Sequence, residues 1–129
     1  MESKKKIFII DDDSFLLDMY ALKFSQSNFQ VTTALGPEQA LDILHKGFVP
    51  DVMLMDIMMP VMDGFELMKK MKEENLAQTA VRIVLSNRGQ PSDIVQGEAL
   101  GAAGYIVKAS STPKEVIEKV NEIISKINK

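Results

Sequence analysis

Short apolar runs alternate with longer amphipathic segments five times along this chain of 129 residues. The apolar runs are too short for stable helices, and they predict strands at 7–10, 29–33, 51–55, 81–85 and 104–107. The amphipathic segments start at capping residues or prolines, and they predict helices over 13–26, 36–46 and 92–101 and from 63 and 112 onward. In the last helix we expect the inward-facing side chains to be Val116, Val120, Ile123, Ile124 and Ile127.

Regular alternation of strands and helices predicts an α/β fold, with one parallel sheet covered by helices on both faces. Right-handed crossovers favour the strand order 2-1-3-4-5, the doubly wound, flavodoxin-like (βα)5 arrangement. The second run, 29–33, alternates apolar and polar residues, which is typical of an edge strand. In such a sheet we expect the ligand site beyond the carboxyl ends of strands one and three, where the winding reverses.

Polar residues follow four of the predicted strands. Asp11 and Asp12 follow the first strand, Asp56 the third, Ser86 the fourth and Lys108 the fifth. Neighbouring strands lie about 4.8 Å apart, so these side chains can converge on one cleft. Crowded carboxylates repel one another unless a cation neutralises them, and Mg²⁺ is the natural partner of oxygen ligands. A carboxylate beside a metal, an ammonium and a hydroxyl is suited to phosphoryl transfer.

Composition excludes several other classes of protein. The formal net charge of −3 argues against a domain built to hold nucleic acid, and the absence of cysteine excludes disulfides and thiolate metal clusters. Neither a signal peptide nor an apolar run long enough to span a membrane is visible. We therefore expect a single domain over 1–129 that is cytoplasmic and does not insert into membranes.

Four motifs together resemble the receiver domain of two-component response regulators, of the stand-alone kind found among chemotaxis regulators. They are IIDDD at 9–13, MDIMMPVMDG at 55–64, LS at 85–86 and GYIVK at 104–108. The resemblance implies a phosphoacceptor rather than an enzyme, with Asp56 phosphorylated by a histidine kinase or a phosphotransfer protein. It further implies a partner-binding surface around the fourth helix, the fifth strand and the fifth helix.

The same resemblance implies the members of the site. Mg²⁺, with Mn²⁺ as a substitute, would be held by Asp11, Asp12, Asp56 and the main-chain carbonyl of Met58. Ser86 and Lys108 would contact the phosphoryl group. The rotamer of Tyr105 would follow the switch.

Two features depart from the family pattern. Ala109 follows Lys108 where the family usually has proline, often after a cis peptide bond, and a cis bond before alanine costs about 3 kcal/mol. We expect either a trans bond with a rearranged loop or a strained cis bond, and the reach of Lys108 depends on which occurs. Asn87, followed by Arg88, stands after the switch hydroxyl where a small residue is usual, and both are predicted to narrow access to Asp56.

Several polar residues have simpler interpretations. Asp13 and Asp63 are expected to cap helices, and His45 is expected to be structural or solvent-exposed. The methionines are expected to pack in the core and loops, because soft sulfur ligands do not suit a site of hard carboxylates.

Two other functions stay open at this point. One is a receiver-like module that binds its partner without phosphorylation. The other is a phosphohydrolase of the haloacid-dehalogenase type with Asp11 as nucleophile, which would leave Asp56 unexplained. The sequence names no downstream target, and it leaves open a monomer or a phosphorylation-dependent dimer. With no output domain in 1–129, the chain is a stand-alone receiver, a phosphorelay intermediate or a fragment.

Overall fold

The computed structural model describes residues 4–127 as a five-stranded parallel sheet with helices on both faces. The strands are β1 (Lys5–Asp11), β2 (Phe29–Leu35), β3 (Val52–Met55), β4 (Val81–Ser86) and β5 (Ala102–Val107). The helices are α1 (Ser14–Gln26), α2 (Pro37–His45), α3 (Gly64–Glu73), α4 (Pro91–Ala99) and α5 (Pro113–Ile127), and a 3₁₀ turn covers Lys108–Ser110. The strand order is β2-β1-β3-β4-β5, which confirms the predicted fold class and topology.

Successive residues of a strand point to opposite sides of the sheet. The central strands are therefore buried on both faces, because helices cover both sides. Phe8 and Met53 pack with the apolar side chains of α2 and α3 on one side. Ile7 and Leu54 pack with those of α1 and α5 on the other. All four residues of β3 are buried, as the uninterrupted apolar run predicts, whereas β2 is only partly covered at the edge.

Two details of the helices differ from the prediction. α4 begins at Pro91 rather than at Ser92, because the carboxylate of Asp93 accepts a hydrogen bond from the main-chain N–H of Gln90, one turn earlier. Ile127 is 49% exposed, so its predicted inward position is wrong. It lies in the last turn of α5, beside the amino-terminal ends of β1, β3 and β4, where the sheet no longer covers it.

Within residues 4–127, no helix combines the length and the apolar content needed to cross a membrane.

Candidate functional site

The predicted carboxylates and the lysine converge at the carboxyl ends of the strands. Lys108 donates hydrogen bonds from Nζ to Oδ2 of Asp11 at 2.7 Å and to Oδ2 of Asp56 at 3.2 Å. Asp11 is 3% exposed and Asp56 is 6% exposed. They approach each other because β1 and β3 are neighbours in the sheet although far apart in sequence. The cleft therefore contains two buried carboxylates bridged by one ammonium.

The chain just after β3 orients the Asp56 carboxylate. Its Oδ1 accepts hydrogen bonds from the main-chain N–H groups of Ile57 at 2.7 Å and Met58 at 3.3 Å. Gly64 returns the chain to this point by donating from its N–H to the carbonyl of Ile57 at 2.9 Å. A Cβ at Gly64 would lie 2.3 Å from the carbonyl oxygen of Asp56, so the return requires glycine. The turn therefore presents one carboxylate oxygen to the main chain and the other to Lys108.

Oxygen atoms of Asp11, Asp12 and Asp56 lie within 4.8 Å of one another. Burial, followed by the negative charges of Asp11 and Asp56, raises the pKa of Asp12 above its ordinary value, against the opposing effects of a main-chain hydrogen bond and of Lys108. Three carboxylates against one ammonium leave an excess of negative charge. A divalent cation with oxygen ligands fits this donor set by charge and by ligand type.

Lys108 reaches the cleft without a cis peptide bond. The Lys108–Ala109 bond is trans, and the chain enters the 3₁₀ turn at Lys108. Burial alone would lower the pKa of Lys108, but the hydrogen bond to Asp11 and the charges of Asp56 and Asp11 outweigh it, so the pKa is raised. The side chain therefore carries a stable positive charge. Of the two predicted peptide geometries, the trans bond is the one that occurs.

Ser86 and Tyr105 meet at the main chain of Arg88. Ser86 is fully buried at the end of β4, and its Oγ accepts a hydrogen bond from the N–H of Arg88 at 3.2 Å. The hydroxyl of Tyr105 donates to the carbonyl oxygen of the same residue. Burial, and then the charge of Asp93, raises the pKa of Tyr105. The two residues predicted to move with the switch are thus connected through one residue of the loop between β4 and α4.

Asn87 and Arg88 have different surroundings although they are adjacent in sequence. Asn87 is exposed and lines, with Met58 and Val107, a cavity of about 700 Å³ that Arg88 also borders. The Nε of Arg88 donates to Oδ1 of Asp93 at 2.9 Å. Asn87 thus lies at the exposed rim of this cavity, whereas the Arg88 side chain is held by Asp93 on α4.

Asp93 is the residue of this region that sequence reasoning missed. The sequence places it only in the first turn of the helix predicted over 92–101. In the structure it is 4% exposed, and it accepts hydrogen bonds from Arg88 and from Gln90. The available signal was an acidic residue in the first turn of a helix, five positions after an arginine. That signal is weak, because acidic residues are common in first turns for reasons of capping alone.

The capping interpretations of Asp13 and Asp63 are confirmed. Asp13 accepts hydrogen bonds from Phe15 and Leu16 at the start of α1, and Asp63 forms a capping box with Glu66 at the start of α3. His45 is exposed and pairs with Glu74 at 2.7 Å, away from the cleft.

Residues 7–121 match the sequence model of the family described as the response regulator receiver domain. This chain belongs to that family. It is 32% identical over 129 residues to a probable transcriptional regulator, ycf27, of Guillardia theta, covering all of this chain and 49% of that protein. It is 32% identical over 123 residues to the response regulator SaeR of Staphylococcus epidermidis, covering 95% of this chain and 52% of that protein. The chain thus spans about half the length of the curated relatives it matches.

Solved receiver structures have the same fold. The chemotaxis protein CheY4 of Vibrio cholerae superimposes with a TM-score of 0.84 at 26% identity, covering 93% of this chain and 98% of that one. A CheY-like receiver domain protein from Methanospirillum hungatei superimposes with a TM-score of 0.84 at 27% identity, covering 96% of each chain. The resemblance seen in the sequence is confirmed. The protein is a receiver domain of the response regulator family, whose members are phosphoacceptor signalling modules of two-component systems.

Proposed function

We propose that this receiver accepts a phosphoryl group on Asp56 from a histidine kinase or phosphotransfer protein and thereby changes a partner-binding surface. The observation that carries the proposal is the environment of the Asp56 carboxylate. It is buried, held on one side by main-chain N–H groups and on the other by Lys108, and grouped with Asp11 and Asp12. A carboxylate fixed in this way is oriented before the reaction, which lowers the barrier to transfer.

In the transfer, a carboxylate oxygen of Asp56 attacks the phosphorus atom of a phosphohistidine. The new P–O bond forms as the P–N bond breaks, and the electron pair returns to the imidazole nitrogen of the donor. Lys108 neutralises negative charge on the phosphoryl oxygens, since its raised pKa keeps it charged. The main-chain N–H groups of Ile57 and Met58 hold the attacking carboxylate in place.

The residues that would hold Mg²⁺ are Asp11, Asp12, Asp56 and the main-chain carbonyl of Met58, and Mn²⁺ would satisfy the same oxygen donors. When bound, the cation supplies charge neutralisation at the phosphoryl oxygens and balances the three carboxylates.

The switch is a two-state equilibrium that the phosphoryl group biases. Ser86 has a hydroxyl proton to donate to a phosphoryl oxygen. Tyr105, which donates a hydrogen bond to Arg88, changes its position together with the loop between β4 and α4. A surface change around α4, β5 and α5 then depends on the difference in stability between the two states. Asn87, at the exposed rim, limits the access of water and of small phosphodonors to Asp56.

Asp56 is a better acceptor than Asp11, the nucleophile of the phosphohydrolase alternative. Both carboxylates accept hydrogen bonds, but two successive main-chain N–H groups orient Asp56, whereas Asp11 is the closer partner of Lys108, at 2.7 Å against 3.2 Å. Family membership also favours the receiver chemistry over hydrolysis.

The test is to incubate the parent protein with Mg²⁺ and acetyl phosphate and to measure the mass of the intact chain. We expect one added phosphoryl group, located at Asp56 by peptide mapping after borohydride reduction of the acyl phosphate. Asp56→Asn is expected to show no adduct, whereas Asp42→Asn, which changes an exposed carboxylate on α2, should be modified like the parent.

An adduct that survives in Asp56→Asn, or that maps to Asp11, would contradict the proposal. A parent that stays unmodified both by acetyl phosphate and by a panel of phosphorylated histidine kinases would instead favour a module that works without phosphorylation.

A further inference from the structure

Arg88 contacts four elements of the structure at once. Its N–H donates to Ser86 on β4, and its carbonyl oxygen accepts from Tyr105 on β5. Its Nε donates to Asp93 on α4 at 2.9 Å, and its guanidinium carbon lies 5.8 Å from the ring centroid of Phe65 on α3. The main chain of Arg88 therefore holds both hydroxyl-bearing residues of the proposed switch, while its side chain is attached elsewhere.

The attachment of the side chain is set by the burial of Asp93. Only 4% of Asp93 is exposed, and apart from the N–H of Gln90 its hydrogen bond comes from Arg88. A buried carboxylate without a counter-charge is unfavourable, so Asp93 retains the arginine even though the arginine side chain is 44% exposed. This distinguishes the pair from ordinary surface ion pairs, which contribute little to stability.

The next residue limits how far the loop can shift. A Cβ at Gly89 would lie 2.6 Å from Cγ2 of Val107, so the main chain of the loop packs directly against β5. With Gly89 against β5 and the Arg88 side chain on α4, the main-chain N–H and carbonyl of Arg88 are held from both sides.

We propose that the ion pair between Arg88 and Asp93 is a positioning latch, which holds the main chain of residue 88 so that the hydroxyls of Ser86 and Tyr105 are in place before phosphorylation. The Ser86 oxygen accepts from Arg88 and keeps its own proton, which is then available to a phosphoryl oxygen on Asp56. Arg88 acts through the two hydroxyls rather than on the phosphoryl group. This role is separate from the steric one predicted for Arg88 from the sequence, which stays a prediction, and it rests on the proposed function of Asp56.

The latch has a thermodynamic consequence. If the loop is ordered in advance, a phosphoryl group does not have to supply the free energy of ordering it. When the latch is broken, only a fraction of the molecules has the competent loop, and the apparent affinity for a phosphoryl analogue falls by that fraction.

Fluorotyrosine labelling tests the geometry without phosphorylation. The chain has two tyrosines and no tryptophan, so the ¹⁹F spectrum contains one signal from Tyr105 and one from Tyr20. Tyr20 is a buried residue of α1 on the opposite face of the sheet, and it serves as an internal reference for folding. In Arg88→Ala we expect the Tyr105 signal to move toward its position in urea-unfolded protein, with the Tyr20 signal unchanged.

Three further variants make this experiment specific. Asp93→Asn should move the Tyr105 signal in the same direction, and adding it to Arg88→Ala should cause no further movement, because both substitutions break the same pair. Arg88→Lys keeps the cation and should cause a smaller movement. Lys70→Ala, which removes a cation from the exposed pair with Glu74, should move neither signal. A Tyr105 signal that stays in place in Arg88→Ala overturns the latch. If Arg88→Ala does not fold, an unmoved Tyr105 signal in Asp93→Asn has the same consequence.

Titration with beryllofluoride and Mg²⁺, followed by the same signals, tests the consequence for the site. We expect the apparent dissociation constant of Arg88→Ala to rise about threefold or more over the parent value, and that of Lys70→Ala to stay at the parent value. Equal or tighter binding by Arg88→Ala would contradict the role in preorganisation. A parent that does not bind beryllofluoride would contradict the proposed function instead, and the spectra of the unliganded variants would then decide the latch alone.

Discussion

Two neighbouring regions of this receiver are held in place in different ways. The acceptor cleft, formed by Asp11, Asp12, Asp56 and Lys108, is held by charges on three strand exits. The switch loop, residues 86–90 between β4 and α4, is held by hydrogen bonds to one main chain and by one ion pair. In the cleft, one lysine thus bridges two buried carboxylates, whereas the side chain of Arg88 joins the loop to α4.

The charge balance of the two regions also differs. In the loop, Arg88 and Asp93 neutralise each other one to one. In the cleft, three carboxylates face one lysine, so negative charge is in excess. The stability of the cleft should therefore depend on bound cations and on pH, and the position of the loop should depend on its ion pair.

The largest effect is expected from removing the Lys108 ammonium. In Lys108→Met, Asp11 and Asp56 lose their counter-charge while still buried, so we expect the free energy of unfolding in EDTA to fall by about 3 kcal/mol. Added Mg²⁺ should restore part of the loss, since the cation replaces the missing positive charge. Urea titrations with and without Mg²⁺ measure both effects.

The control for this lysine is Lys126→Met, which breaks an exposed pair with Glu122 on α5. It should change the free energy of unfolding by less than about 1 kcal/mol, with or without Mg²⁺. A Lys108→Met protein as stable as the parent in EDTA would show that the buried charges do not hold the cleft together.

A smaller effect is expected from two glycine substitutions, one in each region. In Gly64→Ala the new Cβ would meet main-chain atoms of Asp56 and Ile57, which cannot rotate away, so we expect a loss of about 2 kcal/mol. In Gly89→Ala the contact is with a side-chain methyl of Val107, which can adjust, so the loss should be below about 1 kcal/mol. Urea unfolding measures the two losses.

The Tyr105 fluorine signal gives a second measurement that distinguishes the two glycine variants. Gly89→Ala should move the signal although it hardly changes stability, because the substitution displaces the loop from β5. Equal losses of stability in the two glycine variants would remove the distinction between a rigid cleft and an adjustable loop.

The smallest effect is expected from Asp12→Asn, and its sign should depend on pH and metal. Burial and the neighbouring carboxylates raise the pKa of Asp12. An acid with a raised pKa contributes stability that is fully present below the unfolded value of 3.8 and is lost as the pH rises through the folded value. At pH 7 in EDTA, the variant should therefore melt slightly above the parent, and this advantage should disappear on acidification below pH 3.8.

Mg²⁺ should reverse the order of the two proteins. The parent gains more stability from the bound cation the more tightly it binds it. The variant, with one carboxylate fewer, binds the cation less tightly and gains less. Melting curves at several Mg²⁺ concentrations test this crossing. Parallel gains in the two proteins would exclude Asp12 as a ligand.

The amino-acid pattern alone was sufficient to predict the sheet, its strand order and the convergence of Asp11, Asp56 and Lys108. Apolar runs, capping residues and strand exits are local features, and the topology of a parallel sheet then brings the exits together at one edge. The exposure of Ile127 was missed because it depends on how the end of α5 lies against the sheet. The start of α4 at Pro91 was missed although the contact between Gln90 and Asp93 that accompanies it is local.

The contacts that hold the switch loop are visible in the folded structure but could not be predicted from the sequence. A long arginine side chain can reach partners on several elements, so its place in the sequence does not identify Asp93 as its counter-charge. The trans bond before Ala109 and the reach of Lys108 were likewise open, because a loop without its usual proline has more than one conformation available. The strand order, which the sequence predicts, brings the residues of the cleft together, whereas the latch depends on how α3, α4, β4 and β5 meet in the folded protein.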